Sequence, residues 1–261
     1  MATNGMATNG MATNGMATNG LSTSGLITNA MNTSAFITWF NQDVSLANMV
    51  MHYVVDCGIS DGSSRTWTNP TTGIQYVWNG KWGLTPGWAS GLPATELEQQ
   101  LITACMAAYT NKYGRAVDIS IQGRDALGTP IPVGTHEFTT FAQREACFFG
   151  NIFNGEGVYA GSDARLSTDK SSVRACGLKT PGTGDKCPPI HQVDPCSEIC
   201  KPDLQNNYYV TCSYNGKAYP AITTRIQLSD INVCGDGVCQ ISESCGTGFT
   251  PDSCMDCGPC P

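Results

Sequence analysis

At 261 residues, with 14 Lys and Arg against 21 Asp and Glu, the chain carries a net charge of −7 and a pI near 4.8. Its basic residues are scattered, so no face can track a phosphate backbone and nucleic acid is excluded as a partner. Charged residues make up only 13% of the chain, and no run of about 18 apolar residues exists to form a transmembrane segment.

Residues 1–40 read as eight five-residue units. The first four are identical, Met-Ala-Thr-Asn-Gly, closing at Gly5, Gly10, Gly15 and Gly20, and the next four keep the phase while drifting. Every unit opens on a large apolar residue (Met1, Met6, Met11, Met16, Leu21, Leu26, Met31, Phe36) and has Thr third, from Thr3 to Thr38. No charged residue precedes Asp43. A low-complexity linker stays solvated through charge, Pro or Ser. A fixed period with one apolar residue per unit is instead what a repeat architecture needs, since each unit must be covered by its neighbours. Five residues fit neither the helical period of about 3.6 nor the strand period of about 2. They fit a coil that turns once per unit, with Gly or Asn at the corner.

The stretch resembles the pentapeptide-repeat solenoids, four-sided β-helices, which implies one rung over 1–20 and a second over 21–40. Rungs stacked on one another would place Thr over Thr and Asn over Asn, so that Asn4, Asn9, Asn14 and Asn19 would each start a side-chain ladder as in cross-β stacking. Two rungs are too few for a free solenoid, which needs roughly three or more repeats. The expectation is that rungs stack on another subunit, giving a filament or surface fibre, or that further rungs lie upstream.

The middle, residues 41–165, reads as an α+β domain. A helix opens at Asp43-Val44-Ser45 with Ser45 as N-cap, its apolar face set by Leu46, Met49, Val50, Tyr53, Val54 and Cys57. Trp67, Ile74, Tyr76 and Trp78 around Asn69-Pro70 and Gly73 predict a β-hairpin. Thr95 with Glu98 forms a capping box for a second helix, with Leu97, Leu101, Cys105 and Tyr109 along one face. Val117, Ile119 and Ile121 alternate as a strand, and Glu145–Phe153, containing Cys147, predicts another. Cys57 and Cys105 fall on the buried faces of two helices that must pack together, which makes them a candidate bridge. The Trp67, Trp78, Trp82 and Trp88 group either fills the hairpin core or offers a platform for stacking on surface glycan. The order of helix, aromatic hairpin, Trp88-Ala89-Ser90-Gly91 and the Glu98-Gln99-Gln100 helix resembles secreted or surface proteins of myxobacterial type, and no activity follows from that resemblance.

No catalytic constellation emerges. Gly58-Ile59-Ser60-Asp61-Gly62 matches the nucleophile-elbow string of a hydrolase, but a helix precedes it where the elbow needs a strand. His52, His136 and His191 are the only imidazoles available as a base. A secreted hydrolase using Ser60 is therefore the least favoured reading.

Fourteen Cys, eleven of them between Cys176 and Cys260, read as a disulfide framework made outside the cytosol. Residues 1–20 lack the basic start and apolar core of a secretory signal, so a mature or truncated form is expected. Over 166–232, Cys176, Cys187, Cys196, Cys200 and Cys212 are expected to staple a β-hairpin module turning at Tyr214-Asn215-Gly216-Lys217. Over 233–261, Cys234-Gly-Asp-Gly-Val-Cys239, then Cys245, Cys254, Cys257 and Cys260, resembles the C-G-D-G-x-C modules of secreted proteins, whose core is disulfides. Asp236, Glu243, Asp252 and Asp256 recur on its short loops and could supply hard oxygen ligands to a Ca²⁺. The reading is a non-enzymatic extracellular subunit assembling with itself through the pentads, with a glycan-binding module as the alternative.

Overall fold

The computed structural model describes residues 2–4, 6–7, 31–111, 117–163, 170–172, 190–233, 235, 237, 239, 245–246 and 254–259. The chain runs through β1 (Ala2–Asn4), β2 (Met6–Ala7), α1 (Ser34–Gln42), α2 (Val44–Gly58), a hairpin of β3 (Ser64–Thr68) and β4 (Gln75–Asn79), and the short α3 (Pro86–Ala89). It continues with α4 (Glu96–Tyr109), β5 (Thr110–Asn111), β6 (Val117–Gln122), α5 (Glu137–Thr140), β7 (Gln143–Asn151), β8 (Gly157–Ser162) and β9 (Lys170–Ser172). The remaining elements are β10 (Ile190–Gln192), α6 (Cys196–Ile199), β11 (Cys200–Pro202), β12 (Tyr209–Tyr214), β13 (Lys217–Pro220), β14 (Ile222–Ile226) and β15 (Ile231–Val233).

The fold is α+β. Among the described residues the main sheet has six strands in the order β1-β6-β14-β7-β8-β10, antiparallel throughout except for β10, which pairs parallel with β8. β7 is buried along nearly its whole length because both faces of the sheet are covered. Ala146 and Phe148 face the helices, in one core with Phe36, Phe40, Val54, Trp67, Trp88 and Leu101. Cys147 and Phe149 face the opposite way, into a second core with Tyr159, Tyr209, Tyr219, Cys196 and Cys212. This second layer is the three-stranded sheet β11-β12-β13.

Two expectations are corrected here. Residues 34–40 are expected in the second rung, yet they lie in α1, with the Thr33 hydroxyl accepting from the Phe36 amide as N-cap. Phe36 is 1% exposed and Met31 2%, both inside the chain's own core rather than at a repeat seam. The physical reason is spacing: Phe36, Trp39 and Phe40 stand at i, i+3 and i+4, a helical stripe. The division at residue 165 does not separate folding units either. β14, from the segment expected to form a separate module, lies in the main sheet between β6 and β7. The strand expected over 219–228 is broken at Ala221, and the chain passes there from the small sheet into the large one.

Cap chemistry differs in one place. α2 is capped by Asp43, whose carboxylate accepts from the Leu46 amide at 3.0 Å, and not by Ser45. α4 carries the full reciprocal capping box of Thr95 and Glu98. Glu98 is buried because it also accepts from the Trp88 amide at 3.0 Å, which fixes α3 against α4.

Four disulfides join described residues. Cys57–Cys105 bonds α2 to α4, Cys147–Cys196 bonds β7 to α6, Cys200–Cys212 bonds β11 to β12, and Cys239–Cys257 closes part of the C-terminal segment. Cys245 and Cys254 are disulfide-bonded as well. Cys147 therefore binds the second layer to the main sheet. Gly161 beside it must lack a side chain: a Cβ there would lie 2.7 Å from the Asp194 carbonyl and 3.1 Å from Cys147 Sγ. Arg144, Asp163 and Tyr209 add a buried polar joint, with an Arg144–Asp163 ion pair and the Tyr209 hydroxyl donating to Asp163 at 3.1 Å. The density of bonded cysteines fits an oxidising, non-cytoplasmic compartment. No described helix is long and apolar enough to cross a membrane.

Candidate functional site

The first pentad and the head of the second meet the folded body at the edge of the main sheet. β1, from the first pentad, pairs antiparallel with β6, setting Ala2 opposite Ile119, Thr3 opposite Asp118 and Asn4 opposite Val117. β2, at the head of the second pentad, runs parallel to β5, with Met6 opposite Thr110 and Ala7 opposite Asn111. The other edge of β6 is taken by β14, through Ser120, Ile121 and Gln122. Residues 117–119 thus carry the pairing for the pentad, and Ile119 is anchored in the core. A bare edge of this kind would present unpaired backbone donors and acceptors, the usual template for strand addition.

Of the assembly residues, the backbones of Asn4 and Met6 lie in β1 and β2, while Met31 and Phe36 are core residues as above. Met1, Met11, Met16, Leu21, Leu26, Asn9, Asn14 and Asn19 lie outside the described residues, as does any ladder among them.

A polar cluster around the Asp56 carboxyl lies next to Cys57 at the end of α2. Trp82 Nε1 donates to the Tyr109 hydroxyl at 2.7 Å. Burial pushes Asp56 above its ordinary range, against the lowering effect of a Tyr109 hydrogen bond and the charges of Lys81 and His52. The same burial, with the Asp56 charge, raises Tyr109 and Tyr53. The cluster ties the end of α2 to the end of α4. Asp56 has a folded-state pKa above the unfolded one, so its contribution to stability is complete below the ordinary 3.8 and is lost as pH rises through the raised value. Asp56→Asn keeps an acceptor for Tyr109 and removes the titration. Its stability relative to the native chain should improve between about pH 3.5 and about pH 7, measured as the shift in urea midpoint. An equal difference at both pH values would mean that Asp56 titrates normally.

The hairpin offers no open aromatic platform. Trp67, Trp78 and Trp88 are buried, and Trp67 meets Phe36 and Phe40 edge-on at 5.1 and 4.8 Å. The indole N–H of Trp67 donates to Asn32 and that of Trp78 to Asn48. Ser60 sits just past the end of α2, with its carbonyl accepting from the Ser63 amide, which is not the strand-to-helix setting of a nucleophile elbow.

In the C-terminal segment Asp256 accepts from the backbone amides of Gly235 and Gly237, so its carboxylate serves the turn of the C-G-D-G motif. Asp236, Glu243, Asp252, Cys176, Cys187, Cys234 and Cys260 lie outside the described residues. Cys147, Cys196 and Cys200 are the one described cluster with metal-ligand spacing, and all three are already in disulfides, which leaves no thiolate for a metal. A groove of about 440 Å³ lies between Arg124, Ile131, Pro132 and Phe138 and the turn residues Leu204, Gln205, Asn207 and Tyr208. Sequence reasoning missed it, because its walls are a loop, a turn and the single-turn α5, none long enough to show a periodic pattern.

No family model matches the chain, and no curated protein or solved structure matches it.

Proposed function

We propose that this protein is an extracellular structural subunit that associates with copies of itself through its N-terminal pentads, building a filament or surface fibre with the α+β body outside. The single observation that carries the reading is that the β6 edge accepts a pentad backbone as an added strand, here the chain's own first pentad. Three features of the chain support it. The pentads are uncharged, so nothing repels one copy's segment from another's. The first four repeat identically over residues 1–20, which suits stacking of the solenoid or cross-β kind. The rest of the chain is cross-linked by disulfides, as a subunit exposed to proteases outside the cell requires.

The test is negative-stain microscopy of the purified chain beside a form lacking residues 1–20. The deletion stops there because Met31, Phe36, Trp39 and Phe40 belong to the core. Filaments are expected from the full chain and single particles from the shortened one. Filaments that survive the deletion, or none from either form, would remove the role given to the pentads.

A further inference from the structure

Strand register is ordinarily locked because a slip of one residue turns every side chain to the wrong face. The opening segment escapes that rule. A slip of five residues replaces Met-Ala-Thr-Asn-Gly with its own copy, so the β6 edge meets the same three residues whether 2–4, 7–9, 12–14 or 17–19 lie against it. The companion pairing of β2 with β5 survives slips of five and ten, which bring Met11-Ala12 or Met16-Ala17 opposite Thr110 and Asn111. A slip of fifteen brings Leu21-Ser22 there and loses the match. Three registers are therefore equivalent and a fourth is weaker.

We propose that the β6 edge is an acceptor for a Met-Ala-Thr-Asn-Gly strand and that, in the assembled protein, the strand comes from a second copy of this chain. The proposal rests on the assembly reading of the pentads and names its acceptor surface. Each body has one such β6 edge while each chain carries four identical pentads, so the sequence holds more copies of the strand than its own edge can take. Exchange replaces a strand with its own sequence and conserves the pairing, as in domain swapping. The segment being exchanged pairs over three residues in β1 and two in β2, and each backbone hydrogen bond nets only about 1 kcal/mol, so opening costs little. The chain's own strand enjoys an effective concentration on the order of millimolar, which favours the self-paired form in dilute solution and the exchanged form where copies crowd together.

The experiment uses full-length chains carrying introduced cysteines. Asp118 is exposed and lies directly opposite Thr3. In one set, D118C is combined in turn with T3C, T8C, T13C and T18C, and the new bond is mapped in the monomer fraction after oxidation. The bond is expected in T3C, T8C and T13C to extents within about threefold of one another, a difference close to thermal energy, and to a smaller extent in T18C. A bond in T3C alone would overturn the register equivalence. In the second set, a T8C chain is mixed with a D118C chain at high concentration, and the two positions are expected to join between molecules. An excess of a synthetic peptide of three pentads should suppress that bond, while the same peptide with Pro in place of Thr should not, because Pro lacks the backbone donor. Dimers joined only through like positions would overturn the exchange. Mapping the native Cys57–Cys105 bond in each variant shows that the body has folded. Intermolecular bonds without filaments under the microscope would sink the fibre and leave the acceptor edge standing. Filaments without intermolecular bonds would mean that assembly uses another surface.

Discussion

Replacing both partners of the bridge between α2 and α4, as Cys57→Ala with Cys105→Ala, lowers stability by about 4 kcal/mol in the chain-entropy picture. The bond spans a sequence separation of 48 residues, so its removal frees a large loop in the unfolded chain. Both cysteines are fully buried, and Ala leaves small apolar voids rather than unsatisfied hydroxyls. For a chain of this size the loss corresponds to roughly 8–16 °C in Tm. It is measured by thermal or urea unfolding under oxidising conditions, with the other disulfides mapped as intact. A loss below about 1 kcal/mol would show that the loop is already held in the unfolded state, which overturns the entropic account. The bond matters to the proposed function because α4 lies behind the sheet that receives β1.

Trp67→Ala costs about 3–5 kcal/mol, the range for emptying a large buried aromatic site. The side chain is 1% exposed, stacks with Tyr76 and Trp78, and meets Phe36 and Phe40 edge-on. Its indole N–H also holds Asn32, just ahead of α1. Loss of the ring should therefore loosen α1 and the hairpin together, seen as a fall in near-UV circular dichroism and in urea midpoint. Trp67→Phe should recover most of the packing while losing the Asn32 bond. If instead Trp67→Ala unfolds at the native midpoint, the hairpin is not part of the main core, and its rings would be free for a ligand.

The elements that could be read along the chain are those whose pattern is local. The stripe from Leu46 to Cys57 and the reciprocal pair Thr95 and Glu98 specify α2 and α4 within a few turns, because side chains three and four apart share a face. The alternation of Trp67, Tyr76 and Trp78 specifies the hairpin in the same way. Leu97 shows the limit of such counting: it continues the apolar stripe of α4 and is 41% exposed, while Glu98 beside it is buried against Trp88. At α1 two patterns compete on the same residues. The pentad phase puts Phe36 at the head of a unit, but Phe36, Trp39 and Phe40 also make a helical stripe, and burial against Trp67 decides for the helix.

For the candidate site, the identity of the four opening pentads was plain in the residues, and the place where they dock was not. β6 is recognisable as a strand from Val117, Ile119 and Ile121, but which of its edges is open depends on β14, over a hundred residues away. Ile222-Thr-Thr-Arg-Ile226 shows no two-residue alternation because it is buried on both faces, the condition under which pattern ceases to report direction.

The sequence by itself determined the α+β character, the long helices α2 and α4, the hairpin, an oxidising compartment and the five-residue repeat, all of which follow from composition or from neighbours within a few positions. Only the tertiary structure decided that β14 enters the main sheet, that Cys147 bonds Cys196 across the expected boundary, and that the first pentad lies on β6. Those three are pairings between distant segments. They are selected by which surfaces remain uncovered once the local elements have packed, and that quantity is a property of the folded body and not of any stretch of the chain.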